Sequence, residues 1–323
     1  MLARILGNHD NVFTFHEIHF FEQLVDDSSL NTPVEYLTGV EIFSNLISIQ
    51  RKGYLSARET HLFEKESKNQ LSKLYHTQKD IVTPMDIFDY YLHYESGRNN
   101  KCMPCEQTPR NLFYIDEIVE KFPEAYIINM IRDPRSVMLS QKNKWRRRSL
   151  GAKDIPFIEA LRSWSNYHPI TISNLWKSSI KKGNKFKDNK SIKSIFFEDV
   201  IKYPEKTINK IIEFLKIEKQ KNLSEIPQIG SSSLKDNLNI KGIRKDMVSS
   251  WKNGGLTKEE IYICQLINSN SLTEFNYEIE KLKVNYFRLI IIYFNFPFKL
   301  ILSFILNFRR YKNIYLGIKR RFL

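Results

Sequence analysis

The chain has 323 residues, 42% of them apolar and 27% charged, a balance that supplies a packed core and excludes both a disordered chain and a multi-span membrane protein. Lys and Arg number 50 against 36 acids, a formal charge of +14, which points to an anionic partner: a nucleotide, a sulfated or phosphorylated substrate, a nucleic acid or lipid headgroups. Only three cysteines occur, which excludes a disulfide-stapled secreted scaffold and makes a reducing, cytoplasmic compartment the expectation, the more so because MLARILGNHD carries no apolar signal-peptide core.

Residues 1–6 have a helical apolar rhythm that stops at Gly7 and turns through residues 8–11, so the chain is expected to begin inside a structural element. The segments HFFEQLV and VEYLTGVEIFSNLISIQ predict two or more helices between residues 18 and 61, with Asn31-Thr32-Pro33 as a start signal. MDIFDYYLHYE, after Thr83-Pro84, predicts another helix that ends near Gly97, and KCMPCEQTPRN is a short piece between turn formers that leads into the helical LFYIDEIVEKF. YIINMI, residues 126–131, is the best strand, followed by Arg132-Asp133-Pro134 and a helix from about Arg135. That is a strand-loop-helix unit of a parallel sheet. A second unit places a strand at residues 194–197, then an acidic turn, then a helix entered at Pro204. Between the two lies helix-rich sequence around Trp164 and Trp176, and KKGNKFKDNKSIK reads as a solvated basic loop.

After Lys283 the composition changes. Residues 289–308 (LIIIYFNFPFKLILSFILNF) are about long enough to cross a bilayer, yet they contain Pro297 and Lys299 and are flanked by Arg288 and Arg309. The tail RRYKNIYLGIKRR sets cations beside aromatics, a pattern suited to an anionic membrane surface. Peripheral attachment through residues 289–323 and a buried terminal hairpin of helices kinked at Pro297 both stay open, with a true span behind them.

The chemistry concentrates in IRDPRSVMLSQ, where Arg132 ends a buried strand and Ser140 lies about two turns into the next helix. A guanidinium at the C-terminal edge of a parallel sheet, with a hydroxyl nearby, makes a phosphate clamp. The residues alone leave equally open an Arg132 paired with the adjacent Asp133. Cys102 and Cys105 form a CxxC, but no second CxxC or HxxxH completes four ligands, so structural cysteines are expected and no metal. KNKWRRR, residues 142–148, either lines an acceptor cleft for an anionic glycan or peptide or is a solvated helix face; no nucleic-acid-binding module accompanies it, so nucleic acid is not an expected partner.

YIINMIRDPRSVMLSQ resembles the strand-loop-helix that holds the 3′-phosphate of PAPS (3′-phosphoadenylyl sulfate, whose product is PAP) in sulfotransferases. GIRKDMVSSWKNGGLTKEE is similar, at the same spacing, to the RKGxxGDWKN loop that closes over that donor; Arg244, Lys245, Trp251 and Lys252 are retained, and Asp246, Ser249 and Ser250 replace the glycines and the aspartate. IFFEDVIKYPEKTINKIIEFLKI is similar to the family's strand, acidic turn, proline and helix, with Phe197 where an aromatic lies against the adenine. LARILGNHDNVFTFHEIHFFEQL resembles the continuation of the P-loop-like GxPRSGTTLL motif of the carbohydrate- and protein-type branch. In that motif a glycine-rich turn on a helix N-terminus supplies the donor's 5′-phosphosulfate with backbone N–H groups and a basic side chain. The resemblance implies that this sequence starts after that turn, without the first strand, the loop and its arginine.

The resemblance covers roughly residues 1–283. It implies a three-layer α/β/α fold with a central parallel sheet, P-loop-nucleotide-like and N-terminally incomplete, followed by an apolar and basic helical extension over residues 284–323. It further implies transfer of the sulfuryl group of PAPS, without a metal, to a hydroxyl or amine of a carbohydrate, protein or lipid acceptor. Arg132 and Ser140 would hold the 3′-phosphate, Phe197 the adenine, and Arg244, Lys245, Trp251 and Lys252 the closing loop. Glu17, by its position after His9, matches the glutamate base of the protein-tyrosine-type branch; His16 and His19 compete with it, and on a helix His16 and Glu17 point to different faces. A glutamate favoured by a helix dipole is the alternative reading of Glu17. CEQTPRN departs from the family's EKTP, with Gln107 in place of a lysine and Arg110 as the candidate replacement cation, so His16, Gln107 and Arg110 are placed on the acceptor side. The histidine base of the cytosolic small-molecule branch would fall near Pro109, which does not support that mechanism. The rival expectation is a degenerate, non-catalytic relative that binds an anionic glycan or a membrane surface.

Overall fold

The computed structural model describes residues 1–54, 60–79, 81–150, 152, 154–229, 237–310, 312–313, 315 and 318–319. They divide into two units, the first made of Met1–Pro123 with Gln220–Leu223 and Arg310–Arg320, the second of Glu124–Lys219 with Ser224–Arg309.

The first unit contains α1 (Leu2–Gly7), β1 (Val12–Thr14), α2 (Tyr36–Lys52), α3 (Glu64–Thr77), α4 (Pro84–Arg98), β2 (Met103–Cys105) and α5 (Ile115–Lys121). α4 starts where the sequence signals it: Thr83 and Asp86 exchange hydrogen bonds in a capping box and Pro84 fills the first turn. α2 buries Val40, Phe43, Leu46 and Ile47 on one stripe, the helical spacing of a core face, and it packs on α3 and α4. Gly39 permits that approach, since a Cβ there would stand 2.6 Å from the Tyr75 hydroxyl. Arg51 at the end of α2 bonds Glu66 of α3 and the buried Glu95 of α4.

β1 and β2 pair in parallel, Val12 opposite Met103 and Thr14 opposite Cys105. The sequence reading has neither strand. Three residues are too few for a period-2 alternation to stand out. The segment after β1, with His16 and Glu17, has no regular secondary structure and is not the helix expected there.

The second unit contains β3 (Ile127–Ile131), α6 (Pro134–Asn143), α7 (Phe157–Asn166), α8 (Pro169–Asn184), β4 (Ile192–Phe196), α9 (Phe197–Lys202), α10 (Pro204–Leu215), β5 (Pro227–Gln228), β6 (Asn237–Lys241), α11 (Lys258–Glu274) and α12 (Tyr286–Asn307). β3 and β4 pair in parallel from Ile127 opposite Ile192 to Ile131 opposite Phe196, as two successive strand-loop-helix units require. The second strand ends one residue earlier than expected, and the acidic segment after it is the helix α9 instead of a turn. α10 enters at Pro204 and buries Thr207, Ile208, Ile211, Ile212 and Leu215, each aliphatic side chain contributing about 1.5–3 kcal/mol on full burial. β5 and β6 are antiparallel. The described strands thus form three two-stranded sheets in a mixed α/β fold.

α12 runs unbroken through Pro297, and among its described side chains only Leu289 is buried. The buried terminal hairpin is therefore corrected to one helix with a largely exposed apolar surface. Of the basic segment, Lys181 and Lys182 belong to the last turn of α8, where cations suit the helix dipole.

Candidate functional site

In the second unit the turn from β3 into α6 is fixed by its own sequence. Pro134 occupies the first helical position and Asp133 caps the helix, accepting the Arg135 N–H at 2.8 Å. The same carboxylate accepts Arg135 Nε at 3.0 Å, Arg135 Nη2 at 2.8 Å and Trp251 Nε1 at 3.1 Å. Arg135 is 1% exposed; its Nη1 also donates to Gln265 Oε1 at 3.0 Å and the Glu278 carbonyl at 2.6 Å, and its guanidinium lies 4.0 Å from the centre of the Trp251 ring. A buried ion pair needs this full set of partners to offset its desolvation.

Asp133 is thereby committed to Arg135, and among the described residues no ion pair joins it to Arg132. The Arg132 carbonyl accepts the Trp176 indole N–H at 2.9 Å. Its guanidinium lies 4.1 Å from the centre of the Phe197 ring, Nη2 donates to the Met247 carbonyl at a long 3.4 Å, and the buried Nε has no hydrogen-bond partner among the described residues. Burial lowers the Arg132 pKa, outweighing the opposing influence of Glu198 and Asp133. A half-buried cation with donors to spare is poised to receive an anion.

Glu198 of α9 accepts the Asp133 N–H at 3.1 Å and the Tyr277 hydroxyl at 3.0 Å. Burial, then the neighbouring Glu198 charge, drives the Tyr277 pKa far up. A cavity of about 300 Å³ opens beside the ends of β3 and β4, bounded by Asp133, Arg135, Glu198, Lys202, Ser249, Trp251, Lys252 and Tyr277, among others. Phe196 lines it as well; Phe197 is buried and turned to Arg132. Ser140 lies half-buried in the second turn of α6.

The segment 244–253 carries the remaining loop residues. Arg244 is held by Asp246, with Nε 3.1 Å from Oδ1 and Nη2 against the other oxygen, and this contact lowers the Asp246 pKa. Lys245 is exposed and opens a short turn, Lys245–Met247, that packs on α9. Ser249 has the left-handed backbone φ 51, ψ 32. Trp251 is buried. Lys252 pairs with Glu278 at 2.7 Å and Glu280 at 3.8 Å.

In the first unit the C-terminal ends of β1 and β2 bring a second set together. His16 and Glu17 are exposed, the His16 N–H donating to Gln50 Oε1 at 2.8 Å. Glu17 Oε2 is 3.7 Å from His19 Nε2; the His19 backbone, at φ 50, donates to Thr108 Oγ1 at 3.3 Å. Directly after β2, Glu106 accepts the Thr108 N–H at 2.9 Å, the Thr108 hydroxyl at 2.5 Å and the Asn111 amide. Burial nevertheless pushes its carboxyl up to about 7. Gln107 Nε2 donates to the Phe15 carbonyl at 2.6 Å, and Arg110 lies half-buried in the turn Pro109–Tyr114.

Glu106, Glu198 and Tyr277 are missing from the sequence-based site. Glu106 was legible in principle as the acid of CEQTPRN, had β2 been seen; nothing local marks Tyr277. Among the described residues no cluster of His, Cys, Asp and Glu suits a metal ion, and burial pushes the Cys105 thiol up to about 12, the behaviour of an unreactive cysteine.

A family model described as the sulfotransferase family matches residues 1–221, about two thirds of the chain. The chain belongs to the sulfotransferase family. The match takes in Glu17, Gln107, Arg132, Ser140 and Phe197, while the Arg244–Lys252 loop of this sulfotransferase-family chain lies beyond it. Of solved structures, the sulfotransferase domain from the Synechococcus PCC 7002 olefin synthase aligns over 86% of this chain and 90% of its own at 16% identity and a TM-score of 0.50. The sulfotransferase domain from the curacin biosynthetic pathway aligns over 86% and 93% at 16% identity and a TM-score of 0.48. No curated protein sequence matches the chain.

Proposed function

We propose that this family member is a PAPS-dependent sulfotransferase acting on a hydroxyl or amine of a carbohydrate, protein or lipid in the cytoplasm, built on a three-layer α/β/α domain over residues 1–283. The observation that carries the reading is Arg132: a cation at the C-terminal end of a parallel strand, relieved of Asp133 by Arg135, with a buried Nε that lacks a partner among the described residues. These features fit a 3′-phosphate. PAPS, when bound, supplies the activated sulfuryl group. Arg132 holds the donor by its guanidinium and Ser140 adds a hydroxyl. Arg244 and Lys245 contribute cations from the closing loop, Trp251 fixes that loop to the α6 cap, and Lys252 ties it to Glu278. Phe197 supports the Arg132 guanidinium from one side. On the acceptor side Glu17 takes the proton of the attacking hydroxyl, with His16, Gln107 and Arg110 around the acceptor.

Calorimetric titration with PAP tests the donor assignment. Removing a charge-assisted bond costs about 1.5–3 kcal/mol, so Arg132→Ala should weaken PAP roughly ten- to hundredfold while Arg132→Lys keeps part of the affinity. Unchanged affinity in Arg132→Ala rejects the clamp.

Two observations favour a second reading, a non-catalytic relative that binds an anionic glycan. Gln107 brings no charge and is spent on the Phe15 carbonyl, and Arg244 is neutralised by Asp246. That reading predicts heparin binding with no measurable affinity for PAP.

A further inference from the structure

The flank of the second unit formed by α7 and α12 poses a problem that the donor site does not address. α12 is 22 residues long, about 33 Å at 1.5 Å per residue. Leu289, Ile292, Phe296, Lys299, Ser303 and Leu306, at alternating steps of three and four, form with Leu302 and Asn307 its less exposed side, and the helix packs against α7. Apart from Arg288 and Asn295, the rest of the surface is apolar and open to water: Phe287 and Phe294 are each 69% exposed, Ile290 is 64%, Phe298 59%, Ile301 58% and Ile305 63%. An apolar face exposed along the length of a helix marks a binding surface.

The seam on the other side is polar and runs the length of the helix. At its start the Asn285 N–H donates to Glu259 at 2.9 Å. In the middle His168 Nε2 lies 3.1 Å from the Ile292 carbonyl, and Lys299 donates to the Trp164 carbonyl at 3.0 Å. At its end Ser303 donates to Asn166 at 2.6 Å and Arg162 Nε to the Leu306 carbonyl at 2.8 Å. Crossing a bilayer would either break these bonds or drag Arg162, His168 and Lys299 into hydrocarbon, where each charged group costs several kcal/mol. Lying flat costs neither.

Charge selects the occupant. Residues 286–323 contain eight Lys and Arg and no Asp or Glu. The turn Lys144–Leu150, which packs on α7, exposes Trp145, Arg146 and Arg148. Two copies of such a face would repel one another, whereas an anionic bilayer meets both the aromatic and the cationic groups. We propose that the outward face of α12, with the basic turn beside α7, docks this protein flat on an anionic lipid bilayer as a monotopic attachment.

Vesicle flotation of the full chain tests this. Partition into phosphatidylcholine vesicles carrying about 30% phosphatidylglycerol should exceed that into pure phosphatidylcholine by about tenfold or more and weaken with added salt. Phe294→Glu with Ile301→Glu, both at exposed positions, should lower the partition by about tenfold or more and leave the far-UV circular dichroism and the thermal midpoint unchanged. Arg146→Glu with Arg148→Glu should abolish the preference for the anionic vesicle. The proposal is overturned if the double glutamate variant of α12 floats like the wild type, if both vesicles bind equally, or if neither binds, whether or not light scattering then shows a dimer. Membrane retention after alkaline carbonate extraction overturns it in favour of a span.

Discussion

The indole N–H of Trp251 donates to Asp133 Oδ2 at 3.1 Å, across 118 residues of sequence. Through this bond the cap of α6, which follows Arg132, and the loop that carries Arg244 and Lys245 share one buried anchor, completed by Arg135 beneath the ring. Trp251→Phe keeps an aromatic face for Arg135 but leaves Asp133 one donor short. A loss of about 1–2 kcal/mol is expected, and Trp251→Ala should cost about 3–5 kcal/mol through the added cavity. Urea denaturation measures both; a Phe variant as stable as the wild type would show that the bond contributes nothing.

Asp246 stands where the RKG-type loop has glycine, and it holds Arg244 on both sides of its carboxylate. If Arg244 serves an anionic donor, that donor must compete with Asp246 for it. Asp246→Gly should therefore strengthen PAP binding by about three- to tenfold, the range expected for releasing a partly exposed ion pair of up to about 1 kcal/mol together with the removal of a nearby negative charge. Titration calorimetry reads the change, and weaker binding would mean that Asp246 positions the arginine usefully.

Ser249 is the second replaced glycine, and the backbone has not adapted: φ is 51 and ψ 32. Side chains with a Cβ pay roughly 1–2 kcal/mol for this left-handed region, glycine almost nothing. Part of that gain is lost to the greater freedom of glycine in the unfolded chain. Ser249→Gly should thus stabilise the protein by about 0.5–1 kcal/mol in urea denaturation, and a destabilised variant would show that the serine hydroxyl has a bond worth more than the strain.

The same residues show how far the sequence could be read. β3, the Pro134 start of α6 and the Pro204 start of α10 were legible because apolar runs and proline act locally. The roles of Asp133 and Arg135 were not, since the Asp133–Arg135–Trp251 cluster depends on a contact 118 residues away; adjacency in sequence suggested Arg132 as the partner, whereas the helix cap turns Asp133 toward Arg135. β1 and β2 escaped because three-residue strands carry no periodicity, and with them went the true setting of Glu17 and Glu106. The apolar character of α12 was plain from composition, but its polar seam with α7 required the fold.

Glu106 sets a pH dependence. Its carboxyl is raised from 4.5 to about 7, with burial the largest cause. Between those values the folded protein retains a proton that the unfolded chain has released, so this contribution to stability is fully present below about pH 4.5 and is lost as the pH rises through about 7. At about 1.4 kcal/mol per unit the full span amounts to about 3 kcal/mol. Urea denaturation of wild type and Glu106→Gln at the two ends of that range should show the stability difference shifting against the wild type at the higher pH. A difference independent of pH would mean that its hydrogen-bond donors keep Glu106 ionised throughout.

Glu17 and His19 sit 3.7 Å apart, so either could receive the acceptor proton and the other could orient it. The two assignments separate kinetically. A positioned general base contributes about 10²–10⁴-fold to turnover; if Glu17 is that base, Glu17→Gln should lower kcat by this factor with PAP affinity unchanged, because the amide keeps the shape and loses only the proton acceptor. His19→Gln should then cost less than about tenfold, as expected of a residue that merely positions the carboxylate. The reverse order, with His19→Gln the more damaging and the acidic limb of the pH–rate profile abolished in that variant, would move the base to the histidine and leave Glu17 as its orienting partner.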